Sequence, residues 1–271
     1  MSDNEKCCTP NLNQSCCEPV NAKTMEETVK ETYGKLWANQ KASKPTQSKK
    51  TASLLSAHDA LLKELAPRQG MKVLDIGPGN GETVLTIAEK VGPTGKAVGL
   101  DFSPEGIALA RERAKQRKLE KIAEFHLANA LELPFPDNSF DAVISECVVC
   151  LIQDKQKAID EKTRVLKPGG RVVMHDVISW APMPKAVRED KRLYCECVGG
   201  AVSLSEYKEM MKKAGLVEIK TVDFTRDVKK MLKTDLLAHT LDLKGDKESQ
   251  EIVNFLRKGG VGYALLVGTK R

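Results

Sequence analysis

The residues in this chain best able to do chemistry are four cysteines in two short segments. Cys147 and Cys150 stand in Ser145-Glu-Cys-Val-Val-Cys-Leu-Ile152, and Cys195 and Cys197 in Leu193-Tyr-Cys-Glu-Cys-Val198. A thiolate is both a strong nucleophile and a soft ligand, so thiols at these spacings point to chemistry on a soft, sulfur-seeking atom. The first segment follows an apolar run, which places it at a strand end, where open α/β sheets hold their ligands. The other four cysteines form two vicinal pairs, Cys7-Cys8 and Cys16-Cys17, in a polar stretch with Pro10 and Pro19. Adjacent cysteines bond each other poorly, because the small ring strains the intervening peptide. They read as soft ligands or resolving thiols on a flexible Cys-rich tail over 1–22, or as incidental thiols there.

The elements that must position these thiols follow from periodicity. Thr24 with Glu27 three residues on is a capping box that opens a helix over 24–37. A Lys-rich linker over 41–50 and a second helix over 53–65 complete an N-terminal helical extension, 23–66. From Met71 the pattern alternates between strand and helix. Strands are expected at 73–76, 97–101, 123–127, 140–145, 171–177, 217–224 and 263–268. Helices are expected at 81–91, 104–117, 155–165, 205–214 and 247–258. The fold class is α/β, a doubly wound, mostly parallel, Rossmann-like seven-stranded sheet over 67–271.

Composition narrows the class. At 271 residues and 41% hydrophobic the chain can bury one sizeable core. No window approaches about 18 uninterrupted apolar residues, which predicts no membrane partner. The polar N-terminus has no apolar signal region, which predicts a cytoplasmic protein. The net charge of +6 sits partly in the linker, and only 4% of residues are aromatic. No basic and aromatic stripe is present, so no nucleic-acid partner is expected.

Asp75-Ile-Gly-Pro-Gly-Asn-Gly81 lies between an expected strand and helix. Its glycines let the backbone turn tightly and approach a ligand without Cβ clashes. The spacing is shorter than the dinucleotide fingerprint, which counts against an NAD-binding sheet. Asp101 ends the second expected strand, where a carboxylate can accept both ribose hydroxyls, with Phe102 beside it. Together with Leu133-Pro-Phe-Pro-Asp-Asn-Ser-Phe-Asp141 and Leu166-Lys-Pro-Gly-Gly170, this assembly resembles the class I S-adenosylmethionine-dependent methyltransferases over about 67–271. The resemblance implies that S-adenosylmethionine is the cofactor and that Asp75, Gly77 and Gly79 surround its methionine part. Asp101 and Phe102 would meet the ribose, and Asn129-Ala130 the adenine. Many members carry Asp where Asn129 stands, but an Asn carbonyl can still accept from the adenine amino group.

Three readings of the thiols stay open on the residues alone. They bind a trivalent metalloid such as arsenic(III), they form a four-cysteine structural zinc site, or they are small buried hydrophobes. Ser145-Glu-Cys-Val-Val-Cys-Leu-Ile-Gln-Asp-Lys155 is similar to the arsenite methyltransferase pattern Ser-Asn-Cys-Val-Ile-Asn-Leu with a following Asp-Lys. Tyr194-Cys-Glu-Cys-Val-Gly-Gly-Ala201 is similar to that family's Gly-Glu-Cys-x-x-Gly-Ala. On this resemblance Cys147 and Cys197 hold arsenic(III), which is the substrate. On the same resemblance, the family's third cysteine, in Tyr-Gly-Cys-Gly before the first strand, is replaced by Ser56-Ala-His-Asp59, and the usual C-terminal extension is expected to be absent. Cys16, Cys17 or Cys150 would supply the third thiolate. The implied activity is methylation of arsenite or its thiol conjugates, in detoxification, with thioredoxin or a small thiol as reductant. Two competitors are methylation of a small organic molecule such as a quinone, with His175 or Asp176 as base, and metalloid sensing on an inactive scaffold.

The remaining candidates have weaker signals. His58, His126 and His175 lack ligand partners at matching spacing, which favours satisfied core or surface histidines. Glu146, at the end of the fourth strand, reads either as a contact to cofactor or substrate or as a solvated loop carboxylate. Tyr33 and Trp37 pack, or form part of a lid over 24–40 that shields a sulfonium from water.

Overall fold

A parallel strand buried on both faces must be apolar along its whole length, and β1 (Lys72–Ile76), β2 (Lys96–Asp101) and β4 (Phe140–Glu146) meet that demand. The computed structural model describes residues 23–42, 52–226 and 246–271. The vicinal cysteine pairs, including Cys16 and Cys17, and most of the Lys-rich linker lie outside the described residues. The remaining strands are β3 (Ala123–Leu127), β5 (Leu166–Ser179), β6 (Val202–Ser203), β7 (Leu216–Asp223) and β8 (Val261–Lys270). The sheet order is β3-β2-β1-β4-β5-β8-β7, with β6 pairing β5 off this path. β1 to β5 run parallel, and β8 lies antiparallel between β5 and β7. All seven expected strands are present; β6, at two residues, is too short to show a period.

β5 begins five residues before its expected start. The register against β4 jumps from Phe140↔Leu166 to Ala142↔Arg171, so Lys167-Pro-Gly-Gly170 is taken up as an irregularity in the ladder rather than as a turn before it. Gly170 allows this, since a Cβ there would meet the Asp141 carbonyl at 3.0 Å.

The expected helices form with identifiable stops and starts. α1 (Met25–Ala42) opens with the capping box: Glu27 N–H donates to Thr24 Oγ1 at 3.2 Å and Thr24 N–H to the Glu27 carboxylate at 2.8 Å. α2 (Ala52–Leu65), α3 (Glu82–Val91) and α4 (Pro104–Gln116) follow, the last capped by Ser103 and led by a proline. Val149–Leu151 is a single 3₁₀ turn, and Asp154 caps α5 (Lys155–Val165). Two five-residue helices, α6 (Lys185–Glu189) and α7 (Lys191–Cys195), have no counterpart in the sequence expectation. Asp190 starts α7 by accepting the N–H groups of Arg192 and Leu193. α8 (Leu204–Lys213) and α9 (Lys247–Arg257) complete the set.

Apolar side chains fill both faces of the sheet. Leu61, Val84, Ile107 and Phe125 lie in one layer, and Leu74, Phe140, Ile159 and Tyr207 in the other. α2 joins the first layer through Ala57, Leu61 and Leu65, and Arg171 donates to the Glu64 carbonyl at 2.8 Å. Each fully buried leucine or phenylalanine is worth about 1.5–3 kcal/mol, so this packing holds the strand ends in fixed positions. Among the described residues no helix is long and apolar enough to cross a membrane.

Candidate active site

At the carboxyl ends of β1, β2, β4 and β5 the chain encloses a cavity of about 490 Å³, a size that suits a small ligand. Asp75, Gly77, Gly79, Asp101, Phe102, Asn129, Ala130 and Glu146 all line it, with Cys147 among them. Gly77 (φ +75) and Gly79 (φ +54) both occupy the left-handed region. A Cβ on Gly79 would lie 2.6 Å from Trp37, and one on Gly77 would overlap Val148. The two glycines let Trp37 and Val148 pack directly on the loop backbone beside the cavity, where the methionine part of S-adenosylmethionine is expected.

Asp101 is buried, and its carboxylate accepts Gly79 N–H at 3.1 Å and Ser103 N–H at 2.9 Å. Burial raises its pKa, and the backbone bonds oppose the rise. Each oxygen keeps a further acceptor site for a ribose hydroxyl. The Asn129 carbonyl accepts Leu131 N–H at 2.9 Å, and its amide donates to Glu26 on α1 at 3.4 Å. One lone pair of the expected adenine acceptor is therefore already engaged.

Glu146 is no solvated loop carboxylate. Its Oε2 is 3.0 Å from both His58 Nδ1 and His175 Nε2, and Thr83 Oγ1 donates to Oε1 at 2.6 Å. Burial works against ionisation, but the two histidines outweigh it and hold the carboxyl well below its usual range. His175 also hydrogen-bonds the Tyr263 hydroxyl, which stands 3.1 Å from Cys147 Sγ. Burial lowers the His175 pKa, but Cys147 and Glu146 outweigh it and raise the value to about 9. His58 and His175 thus have a shared partner that sequence spacing did not reveal. Their contact joins α2 to the ends of β4 and β5, residues far apart in the chain. Tyr263 was missed for the same reason.

The thiols divide three and one. Cys197 interacts with both Cys147 and Cys150, and its Sγ lies 3.7 Å from the Cys147 carbonyl. Cys147 is pushed well above the usual thiol range by its bond to Cys197 and by burial. Cys150, fully buried, is pushed up to about 12 by burial. At Cys197 the bond to Cys147 lowers the pKa, but the bond to Cys150 and burial leave it well raised. Cys147 (φ +54) and Cys197 (φ +69) both stand in left-handed backbone conformations, which non-glycine residues hold only where their surroundings enforce it. Asp176 fixes the 3₁₀ turn of Cys150 by accepting Val149 N–H at 3.0 Å and Cys150 N–H at 3.3 Å. Cys195 turns away toward Thr32 Oγ1, at 3.6 Å. The four thiols therefore do not form the four-cysteine arrangement of a structural zinc site. Among the described residues no group of three or more His, Cys, Asp and Glu side chains is disposed to hold a metal ion.

Comparison with known proteins gives the same fold and a chemical class. A family model described as a methyltransferase domain matches residues 67–215. An arsenite methyltransferase of Halobacterium salinarum is 42% identical over 156 residues, covering 57% of this chain and 40% of the relative. An arsenite methyltransferase of Aquipseudomonas alcaligenes is 28% identical over 221 residues, covering 73% of this chain and 64% of the relative. The matches thus span less than two thirds of the length of either. A demethylmenaquinone methyltransferase of a Geobacillus species is 37% identical over 112 residues, covering 41% of this chain and 47% of the relative. Among solved structures, the [4+2]-cyclase SpnF superposes with a TM-score of 0.69 at 22% identity, covering 92% of this chain and 97% of that one. Geranyl diphosphate C-methyltransferase from Streptomyces coelicolor, solved with S-adenosyl-L-homocysteine, gives 0.69 at 20% identity, covering 93% and 100%.

Proposed function

The chain belongs to the methyltransferase domain family, and from that premise we propose that it methylates thiol-bound trivalent arsenic. S-adenosylmethionine is the methyl donor, and when bound it supplies an electrophilic methyl group on a sulfonium. The observation that carries the arsenic reading is the group of three neighbouring thiols, of which half-buried Cys147 lines the cavity and buried Cys197 interacts with both Cys147 and Cys150. The two arsenite methyltransferase relatives support it.

The chemistry suits thiols that stay protonated. Arsenous acid exchanges each hydroxide for a thiolate, and the thiol proton leaves with that hydroxide as water. No base is required, and the raised pKa values keep the thiols intact until the substrate arrives. Cys147 and Cys197 hold arsenic, and Cys150, fixed by Asp176 against Cys197, supplies the third thiolate once the side chains turn from one another to the substrate. Three thiolates leave the arsenic lone pair free as nucleophile, and Gly77 and Gly79 let the donor approach it. Placement of this kind is worth about 7–11 kcal/mol. Cys16 and Cys17 lie outside the described residues and remain candidates for handing in substrate or resetting oxidised thiols with an external thiol reductant.

A second reading, methylation of a small organic acceptor such as a quinone, has one observation in its favour: demethylmenaquinone methyltransferases are among the relatives. The His175–Glu146 pair does not supply the base this chemistry needs, because each group holds the other in its charged form. One assay separates the readings: S-adenosylhomocysteine formation with and without arsenite, in the presence of a thiol reductant. Arsenite-dependent turnover is expected. Turnover with a quinol but not with arsenite would favour the second reading, and no turnover with either would favour a metalloid-binding scaffold.

A further inference from the structure

Resting on the thiol assignment above, we infer that Tyr33, on the N-terminal helix, is a positioning residue of the acceptor site whose hydroxyl holds the Cys197 segment at the cavity. α1 lies along the cavity and touches three parts of the site. Glu26 accepts from Asn129 at 3.4 Å, Trp37 covers Gly79, and Tyr33 stands between them with its ring tilted 37° to that of Trp37 at 6.4 Å. The Tyr33 hydroxyl donates to the Cys195 carbonyl at 3.1 Å.

That carbonyl is at the carboxyl end of α7, where helical carbonyls lack partners within the helix. Two residues on, Cys197 takes its left-handed conformation (φ +69), which persists only if the flanking backbone is pinned. Backbone bonds from Cys197 N–H to the Tyr194 carbonyl at 3.0 Å and from Val198 N–H to the Leu193 carbonyl at 2.9 Å form the turn itself, and Tyr33 holds the carbonyl just before it. Lys191 Nζ to the Lys23 carbonyl at 2.8 Å, and Cys195 Sγ to Thr32 Oγ1 at 3.6 Å, dock the same short helix onto α1. The Tyr33 phenol also reaches the Cys197 thiol; burial and the three thiols together raise its pKa, so it stays a neutral hydrogen-bonding group. One residue therefore lines the donor cavity and braces a thiol of the acceptor site. This makes the N-terminal helix a part of the thiol site as well as a cover over the donor.

The test compares the full chain with Tyr33→Phe, which removes the hydroxyl and keeps the ring. The alkylation rate of Cys197 by iodoacetamide is read by peptide mapping, and S-adenosylmethionine affinity by calorimetry. Losing one neutral hydrogen bond corresponds to roughly fivefold, so Cys197 should alkylate about fivefold faster while donor affinity stays within about twofold. A wild-type alkylation rate in Tyr33→Phe overturns the inference. So does a donor affinity that falls in step with faster alkylation, since the residue would then be only a cavity wall. Arsenite affinity, measured in parallel, should weaken by about the same fivefold. If the wild-type chain binds no arsenite, the proposed function fails, and the alkylation and donor measurements still decide the role of Tyr33.

Discussion

Gly79 leaves no space for a side chain. Its left-handed backbone and the Trp37 ring 2.6 Å from a would-be Cβ mean that Gly79→Val should abolish S-adenosylmethionine binding while the circular dichroism spectrum stays native. Retained affinity in calorimetry would refute the loop assignment. Asp101→Ala should weaken the donor by ~2–4 kcal/mol, because charge-assisted bonds to ribose are lost and Gly79 N–H loses its acceptor. An unchanged dissociation constant would move the ribose contact elsewhere. These positions were legible in the sequence because a glycine loop and a strand-end aspartate are local features with fixed spacing. Glu146, His58, His175 and Tyr263 were not, because their hydrogen bonds join residues of four separate elements and leave no spacing to read.

Elements show the same division. β1 to β5 and the long helices announced themselves through period and caps, whereas α6, α7 and β6 have two to five residues each and carry no period. Yet Cys197 follows α7 by two residues, so that part of the thiol site was read from the resemblance of its segment and not from an expected element. α5 offers a test of how the sheet supports the site. Its Lys162 is fully buried and donates to Ser145 on β4, and burial lowers its pKa from 10.5 to about 8. The folded state loses that proton near pH 8 and the unfolded state near 10.5, so between them the unfolded state binds more protons and folding gains stability as pH rises. Relative to Lys162→Met, the wild-type chain should gain about 3 kcal/mol across that window in urea unfolding. A wild-type to variant difference that does not change with pH would contradict the buried charge.

At the scale of the whole molecule, the glycine loop, Asp101 and Cys147 line one cavity, walled on one side by a helix that precedes the sheet. The alternation of strands and helices made the doubly wound sheet legible, though not its strand order, and the resemblance supplied the donor. Which thiols gather was not legible from spacing, which made Cys195 and Cys197 a pair; the resemblance singled out Cys147 and Cys197, and the turn after α7 separates Cys195 from them. Cys195, turned toward Thr32, should therefore be dispensable, and Cys195→Ser should keep near-wild-type turnover in an S-adenosylhomocysteine assay. Loss of turnover there would return it to the site. The measurement that bears most directly on the function is arsenite-dependent S-adenosylhomocysteine formation by Cys147→Ser and Cys197→Ser, with donor affinity measured on the same samples. A serine hydroxyl is a hard, poorly ionised ligand and cannot replace a thiolate on arsenic. Both variants should bind S-adenosylmethionine as the wild type does and form no arsenite-dependent product. Full arsenite methylation by Cys197→Ser would contradict the account.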